Sequence, residues 1–524
     1  MSVVSGQLSV VISPRFRVFA SPCLYIPHPS ENPAKAAVAS LQSNYPHTQA
    51  AISLNMELNL RFPEINQVIV RLDDLETDRL KFTSPLAPED LEDIRWYFEV
   101  YANSYTADVD DERAKRIGDN FQRWGEGLFE AIFQDRTAQN IFFEFQRTDE
   151  PGRLLTISAS HPAILSLPWE LLRDPASDIY LFNENPRISV RRRLAGAGGG
   201  RRPFKVQPKD RLRLLFVVSR PSDAGFIDPR GEAKAVLDAI AQEAEGRIEV
   251  EFLRPATLDN LVARLEDERL PAIDIIHFDG HGVYDPDGRF HERAKSSDPA
   301  GATKGENSNG SNMGYLLFEN PEGKTALITA ETLGEMLHRQ KVGLIVLSAC
   351  QSAMVAGEDA MGCVAARLTH AGIPAVLAMT YSVLVVTAHQ LFAKFYQRLV
   401  RAEGIGAALD NGRRDLYLNK ERGERRRGDK QITLKLQDWF LPALYQAAKD
   451  TALLTPSSPS SPSSSSSPSS SRAVSFHKGK KFVNIIREKS LRNCDGRMTI
   501  STEYINGDRS QYREVSRSIT HTYF

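Results

Sequence analysis

Residues 273–282 read IDIIHFDGHG and residues 343–353 read GLIVLSACQSA. Each opens as an apolar run and closes on small residues that carry one reactive side chain, His281 in the first and Cys350 in the second. A short, nearly continuous apolar run bounded by turn residues is the pattern of a strand covered on both faces, as in a parallel sheet. The two runs therefore predict buried strands with His281 and Cys350 just past their carboxyl ends. In open α/β sheets, ligands and chemistry collect at that edge. If the strands are neighbours, the two residues meet despite their separation in the chain.

The flanking sequence extends the same grammar. Residues 212–218 (LRLLFVV) form another buried run, followed by a helix over 231–244 with Ala233, Val236, Leu237 and Ile240 on one side. Residues 248–253 predict a strand, and Thr257 caps a helix carrying Leu258, Leu261, Val262 and Leu265. Residues 314–318 and 326–328 predict a hairpin, 375–379 a strand, and Thr387 opens a long helix with Leu391, Phe392, Phe395, Tyr396 and Leu399. Residues 440–445 (FLPALY) supply a last strand. Strand–helix alternation of this kind specifies an α/β sandwich with a mainly parallel central sheet. Its expected span is residues 211–449.

Upstream, residues 1–51 are poorly patterned, and residues 52–195 predict a smaller accessory α/β domain. Its expected elements are a strand at 67–72, helices at 88–101 and 112–133, and strands at 141–145 and 154–158. Gly196–Gly200, followed by Arg201, Arg202 and Pro203, marks a linker over 196–210. Downstream, the Ser/Pro-rich stretch 450–471 cannot bury enough surface to offset its ordering entropy and is expected to be disordered. Residues 472–524 are a basic tail with little periodicity and no assignable role.

Composition narrows the function. Hydrophobic residues make up 41% and charged residues 25% of the 524, which suits a globular protein with a large core. A net charge of -1 gives no support to a nucleic-acid or membrane-surface role. Neither a transmembrane run nor a secretory start is visible, so a cytoplasmic location is the expectation. The four cysteines, Cys23, Cys350, Cys363 and Cys494, are too sparse for a disulfide framework and lack metal-ligand spacing.

One cysteine is then left free to do chemistry. A cysteine attacks a carbonyl as thiolate, and a nearby imidazole raises the thiolate fraction and protonates the departing amine. The backbone N–H groups of Gly282 and Cys350 could bind the oxyanion, at about 3–4 kcal/mol per donor. Glycine beside the histidine suits a backbone that a substrate approaches closely. This mechanism needs no metal and no organic cofactor.

HFDGHG and LSACQSA, each after a hydrophobic strand, resemble the signature of the CHAT family, relatives of caspases, separases and gingipains. LSLPWELLRDP (165–175), LLFVVSRP (214–221), AGIPAVLAMTYSV (371–383) and DWFLPALY (438–445) agree with it, and the similarity covers about residues 150–447. The resemblance implies a caspase-like fold and cysteine endopeptidase activity on a protein or peptide substrate. It maps the family histidine onto His281 and the nucleophile onto Cys350, and gives His277 no catalytic role. Asp279, Met379 and Tyr381 are candidates for the substrate pocket. Many family members carry tetratricopeptide repeats or a nucleotide-binding module; neither is legible here, so a separate activator or sensor protein, or a lost C-terminal module beyond the serine tract, could supply the switch. A role in defence or programmed cell death fits that pattern.

Plainer readings stand beside these. Cys363 reads as helix core and His277 as a satisfied core histidine. Asp279, Asp285 and Asp287 read as solvated loop acids unless one selects a basic side chain. Trp169 reads as packing the accessory domain on the protease domain. Arg191–Arg193 and Arg425–Arg427 read as solvated charge runs. The polar stretch 287–312 is long for a loop, and a processing site is one account of it. The rival to a protease is a catalytically silent scaffold that binds partner proteins, and a further rival is thiol acyl transfer without proteolysis.

Overall fold

In the computed structural model, the described residues are 56–456, apart from 105–106, 148–151, 196–199, 226–230, 244–245, 286–312, 352–359, 428–429, 448–449 and 451, together with four strands beyond residue 471. The expected unpatterned N-terminus, the polar loop 287–312, most of the serine tract, Cys23 and Cys494 lie outside them.

The N-terminal part begins with the hairpin β1 (Met56–Glu64) and β2 (Gln67–Leu72). Helix α1 (Pro88–Arg95) continues as a π-helical turn to Tyr101, and α2 (Asp108–Ile132) lays Ile117, Phe121, Trp124, Leu128 and Ile132 into the core. Residues 136–146 are a helix, α3 (Arg136–Gln146), where the sequence predicts a strand at 141–145. The carboxylate of Asp135 caps it by accepting from the N–H groups of Thr137 and Ala138. Ala138, Ile141, Phe142 and Phe145 then repeat at helical spacing. The five residues read alone lack the turn that shows the period. Strands β3 (Arg153–Ala159) and β4 (Ile188–Leu194) follow.

The second part contains β5 (Leu212–Val218), α4 (Gly231–Glu243), β6 (Ile248–Leu253), α5 (Leu258–Leu265) and β7 (Ile275–Asp285). Thr257 does cap α5, accepting from the N–H of Asn260. The hairpin β8 (Met313–Glu319) and β9 (Thr325–Thr329) leads to α6 (Ala330–Arg339) and β10 (Leu344–Gln351). After α7 (Ala360–His370) come β11 (Ala375–Met379), α8 (Val385–Val400), α9 (Ile405–Leu418) and the hairpin β12 (Glu421–Arg427) and β13 (Lys430–Lys435). The last strand of this part is β14 (Pro442–Gln446).

These strands build a mixed α/β fold around one large, mainly parallel sheet. Its main row runs β2, β1, β3, β4, β14, β11, β10, β7, β5, β6, and the strand over residues 472–478 continues it by pairing in parallel with β6. Only β2 against β1 and β14 against β11 run antiparallel along this row. Helices cover both faces. On one, α4 and α8 pack on His277 and Phe216; on the other, Arg264 of α5 grips Glu251 of β6. The described residues fall in a single compact unit, Ser53–Phe524. The segments expected as accessory and protease domains share this sheet through β4 and β14 and contribute to one continuous apolar cluster.

That junction overturns the reading of Arg191–Arg193 as solvated. Arg191 and Arg192 are fully buried, because β4 lies inside the sheet between β3 and β14. Both Glu170 oxygens accept from Arg192, and Arg191 pairs with Glu57 and donates to Gln446. Trp169 is also buried, but its ring packs on Phe62 and Phe82 within the N-terminal part. Its neighbour Glu170 makes the link across, to Arg413 of α9.

The packed chain reaches further than residue 449, since Leu453 and Leu454 are buried and Leu454 bridges Lys209. Beyond the serine tract, β15 (Arg472–Lys478), β16 (Phe482–Arg492), β17 (Met498–Gly507) and β18 (Ile519–Thr522) pair antiparallel in succession. The sequence marks no elements there, because alternation such as that of Val474 and Phe476 persists only over short spans. Among the described residues no helix is long and apolar enough to cross a membrane.

Candidate active site

Strand β7 alternates its side chains, so His277, Asp279 and His281 share the face turned to α4 and α8. The intervening Phe278 and Gly280 belong to the opposite face. There a Cβ on Gly280 would lie 2.8 Å from the Phe278 ring and 3.1 Å from Ser219 Cβ, so packing already accounts for this glycine.

Both motifs continue as strand where the sequence predicts a strand end. Strand β7 pairs with β5 as far as Asp279 and then with the antiparallel β8 from His281 to Asp285. The new neighbour carries the ladder through the histidine. On the other side β7 runs parallel to β10 in unbroken register from Ile275↔Leu344 to Gly282↔Gln351. His281 and Cys350 are Cα partners in that ladder. Gly282 is the partner of Leu316 on β8 and of Gln351 on β10, so both expected oxyanion donors lie in paired backbone.

The imidazole of His281 is buried and has one anchor. Its Nε2–H donates to the carbonyl oxygen of Gly225 at 2.7 Å, and its Nδ1 has no hydrogen-bond partner among the described residues. A carbonyl only accepts, so Nε2 carries the proton and Nδ1 offers the lone pair. Burial and the positive charge of Arg220 push the imidazole below its ordinary pKa, against the Gly225 bond that raises it.

The carbonyl is itself held. Ser222 N–H donates to Gly323 O at 2.8 Å, and the Asp223 carboxylate accepts from the N–H and hydroxyl of Thr325 at 2.8 and 2.7 Å. The segment that anchors His281 is thus tied to the β8–β9 hairpin, whose other strand edge pairs with His281.

Asp279 is not a free loop acid. It is 2% exposed, and its carboxylate pairs with Arg220 at 2.7 Å while the same guanidinium reaches its backbone carbonyl. Burial and the nearby Glu232 charge raise its pKa to about 6, against the pull of Arg220. His277 is fully buried: Nε2 is 2.5 Å from Glu232 Oε1, Nδ1 is 2.9 Å from Tyr396 Oη, and the ring stacks on Phe216. Met379 is buried at the end of β11 as the partner of Pro442, and the half-buried Tyr381 packs toward Phe98. These two lie at the carboxyl end of the strand next to β10. The side chains of Asp285, Cys350 and Cys363 are outside the description, as is all of Asp287.

Sequence reasoning misses four participants: the Gly225 carbonyl, Arg220, Glu232 and Tyr396. A backbone carbonyl leaves no compositional trace. Glu232 had a faint one, an acid beside the apolar stripe of Ala233 and Val236. Among the described residues no cluster of three His, Cys, Asp or Glu could hold a metal ion.

Residues 122–457, more than half of the chain, match the model of the CHAT domain family. No curated protein matches. Two crystal structures of the Saccharomyces cerevisiae separase–securin complex are similar, one with a TM-score of 0.37 and 11% identity, the other 0.35 and 13%. Each match covers 75% of this chain and 30% of the other, so this chain spans under a third of that protein's length. With the two motifs adjacent in one parallel ladder and the family model spanning both, the chain belongs to the CHAT domain family.

Proposed function

We propose that this protein is a cysteine endopeptidase with Cys350 as nucleophile and His281 as its acid–base partner. The observation that carries the reading is the pairing of His281 with Cys350 on adjacent parallel strands, with Nδ1 of His281 left open and Nε2 tied to Gly225. Strand neighbours lie about 4.8 Å apart, within the range a thiol and an imidazole can bridge.

The Cys350 sulfur attacks the scissile carbonyl carbon, and its proton passes to Nδ1 of His281. The backbone N–H groups of Gly282 and Cys350, released from the ladder as substrate binds, receive the developing oxyanion. His281 returns the proton to the amine nitrogen as the C–N bond breaks, leaving a thioester that water hydrolyses with His281 as base. The Gly225 carbonyl fixes the tautomer and steadies the imidazolium while it exists. Asp279, Met379 and Tyr381 are assigned to the substrate side of the site, with a protein or peptide as substrate.

A thiol nucleophile needs a reducing compartment, which favours the cytoplasm. Burial of Met379 and the pairing of Asp279 with Arg220 support a resting state that a separate activator protein opens, in a defence or cell-death response. Peptide-library profiling of the wild type against Cys350→Ala tests the assignment. Cleavage by the wild type that the variant lacks supports it. An electrophilic peptide that labels Cys350 no faster than Cys363 overturns it and leaves the silent scaffold.

A further inference from the structure

We propose that Glu232 is a positioning residue that holds the strands of His281 and Cys350 in their working register. The inference rests on the cysteine-peptidase reading and adds to it a residue with no place in the chemistry itself.

One carboxylate touches both strands. Glu232 Oε1 is 2.5 Å from His277 Nε2 on β7, and its Oε2 accepts from the Ser348 hydroxyl at 2.6 Å on β10. His277 stands four residues before His281, and Ser348 two residues before Cys350. At about 3.3 Å per residue, these anchors lie roughly 13 and 7 Å from the reactive positions along stiff, paired backbone. A slip of either strand therefore breaks a bond to Glu232 before it separates the pair.

The carboxylate also belongs to the right helix. Helix α4 starts soon after the segment that ends in Gly225, whose carbonyl anchors His281. Glu232 thus ties two pieces of the site together, the histidine strand and the cysteine strand. The groups around it are His277, Ser348, Asp279 and Tyr396, with Arg220 paired to Asp279.

A stability role alone explains this poorly. Glu232 is 8% exposed, and a carboxylate loses solvation on burial that its partners only offset. Replacing the whole set, Glu232, His277 and Ser348, with apolar side chains would avoid that loss, so burial alone does not call for a carboxylate here. A directional, two-strand connection is what the carboxylate adds.

Glu232→Leu, Glu232→Gln and Ser348→Ala test this, with kcat, KM, melting temperature and the rate of Cys350 alkylation by iodoacetamide measured for each. Glu232→Leu leaves His277 Nε2 and the Ser348 hydroxyl unpaired in the interior and is expected to lower the melting temperature. With the protein still folded at the assay temperature, kcat should fall about 100-fold with little change in KM, the scale of a misplaced reacting group. Glu232→Gln keeps shape and part of the bonding, so it should recover much of that loss. Ser348→Ala removes one bond and should lower kcat about fivefold with slower alkylation, roughly one hydrogen bond's worth. A folded Glu232→Leu with wild-type kcat overturns the proposal. Should that variant not fold, an unchanged kcat in Ser348→Ala overturns it instead. A wild type without turnover and without a reactive Cys350 removes the peptidase reading, and the proposal with it.

Discussion

His281 and Cys350 are Cα partners on adjacent parallel strands, in a ladder that runs unbroken from Ile275↔Leu344 to Gly282↔Gln351. Their proximity is therefore a property of the sheet and does not depend on a loop closing. His281→Ala should cost about 10²–10⁴-fold in kcat/KM, the usual worth of a positioned acid–base group. Cys350→Ala should leave only background, and the double variant should be no worse than Cys350→Ala alone, because the two residues act as one unit. Steady-state cleavage of a peptide found by profiling checks all three. Additive losses would show that they work separately.

The direction of the His281 shift fixes a pH dependence. Burial, then Arg220, holds the imidazole below its ordinary value near 6.5. In the proposed mechanism the neutral ring accepts the thiol proton, so the acid limb of kcat/KM should fall below pH 6.5 or so. The same shift links to stability. As pH drops, the unfolded chain takes up this proton before the folded one does. The contribution is thus full above the unfolded value and is lost as pH falls through the folded value. Denaturant midpoints of wild type and His281→Gln across this range should diverge, the wild type losing more. Parallel curves would refute the shift.

Asp223 is exposed, yet two hydrogen bonds to Thr325 make it the tether of the segment carrying the Gly225 carbonyl. Asp223→Ala should leave the melting temperature within a degree or two, as for an ordinary surface change. It should lower kcat several-fold by freeing the carbonyl that orients His281, and Asp223→Asn should recover part of the loss. A stopped-flow or steady-state comparison on the same peptide decides it. Equal kcat in all three proteins would mean that the anchor does not depend on this tether.

Much of the sheet that carries this candidate site is legible in the sequence. The apolar runs at 212–218 and 375–379 coincide with strands because burial on both faces leaves a nearly uninterrupted signature. The two motifs meet because each places its reactive residue equally far beyond the first residue of its strand, and Ile275 and Leu344 start in register. What was illegible is of another kind. Gly225 acts through a carbonyl that every residue possesses. Arg191 and Arg192 look like surface charge because their partners, Glu57 and Glu170, lie far off in sequence. The helix at 136–146 was hidden because five apolar-rich residues fit either period, and the cap that settles it, Asp135, sits outside them.

Those buried arginines carry the last prediction. Glu170 is fully buried and accepts from Arg192 of β4 and, at 3.2 Å, from Arg413 of α9. Arg413 donates to Asp410 at 2.6 Å, and Ser189 of β4 donates to the same carboxylate, so the cluster crosses the junction between the two parts of the sheet twice. Burial raises the Asp410 carboxyl against the pull of Arg413. Glu170→Ala would leave two guanidiniums short of their counter-charge in the interior, and removing one partner of a buried pair costs about 3–5 kcal/mol. Guanidinium chloride unfolding should show that loss for Glu170→Ala and a smaller one for Glu170→Gln. The double variant Glu170→Gln/Arg192→Met should recover part of it, since the guanidinium paired to both Glu170 oxygens goes too while Arg413 keeps Asp410. If Glu170→Ala instead unfolds at the wild-type midpoint, water or a rearranged carboxylate must be solvating those arginines, and the junction would owe its strength to apolar packing alone.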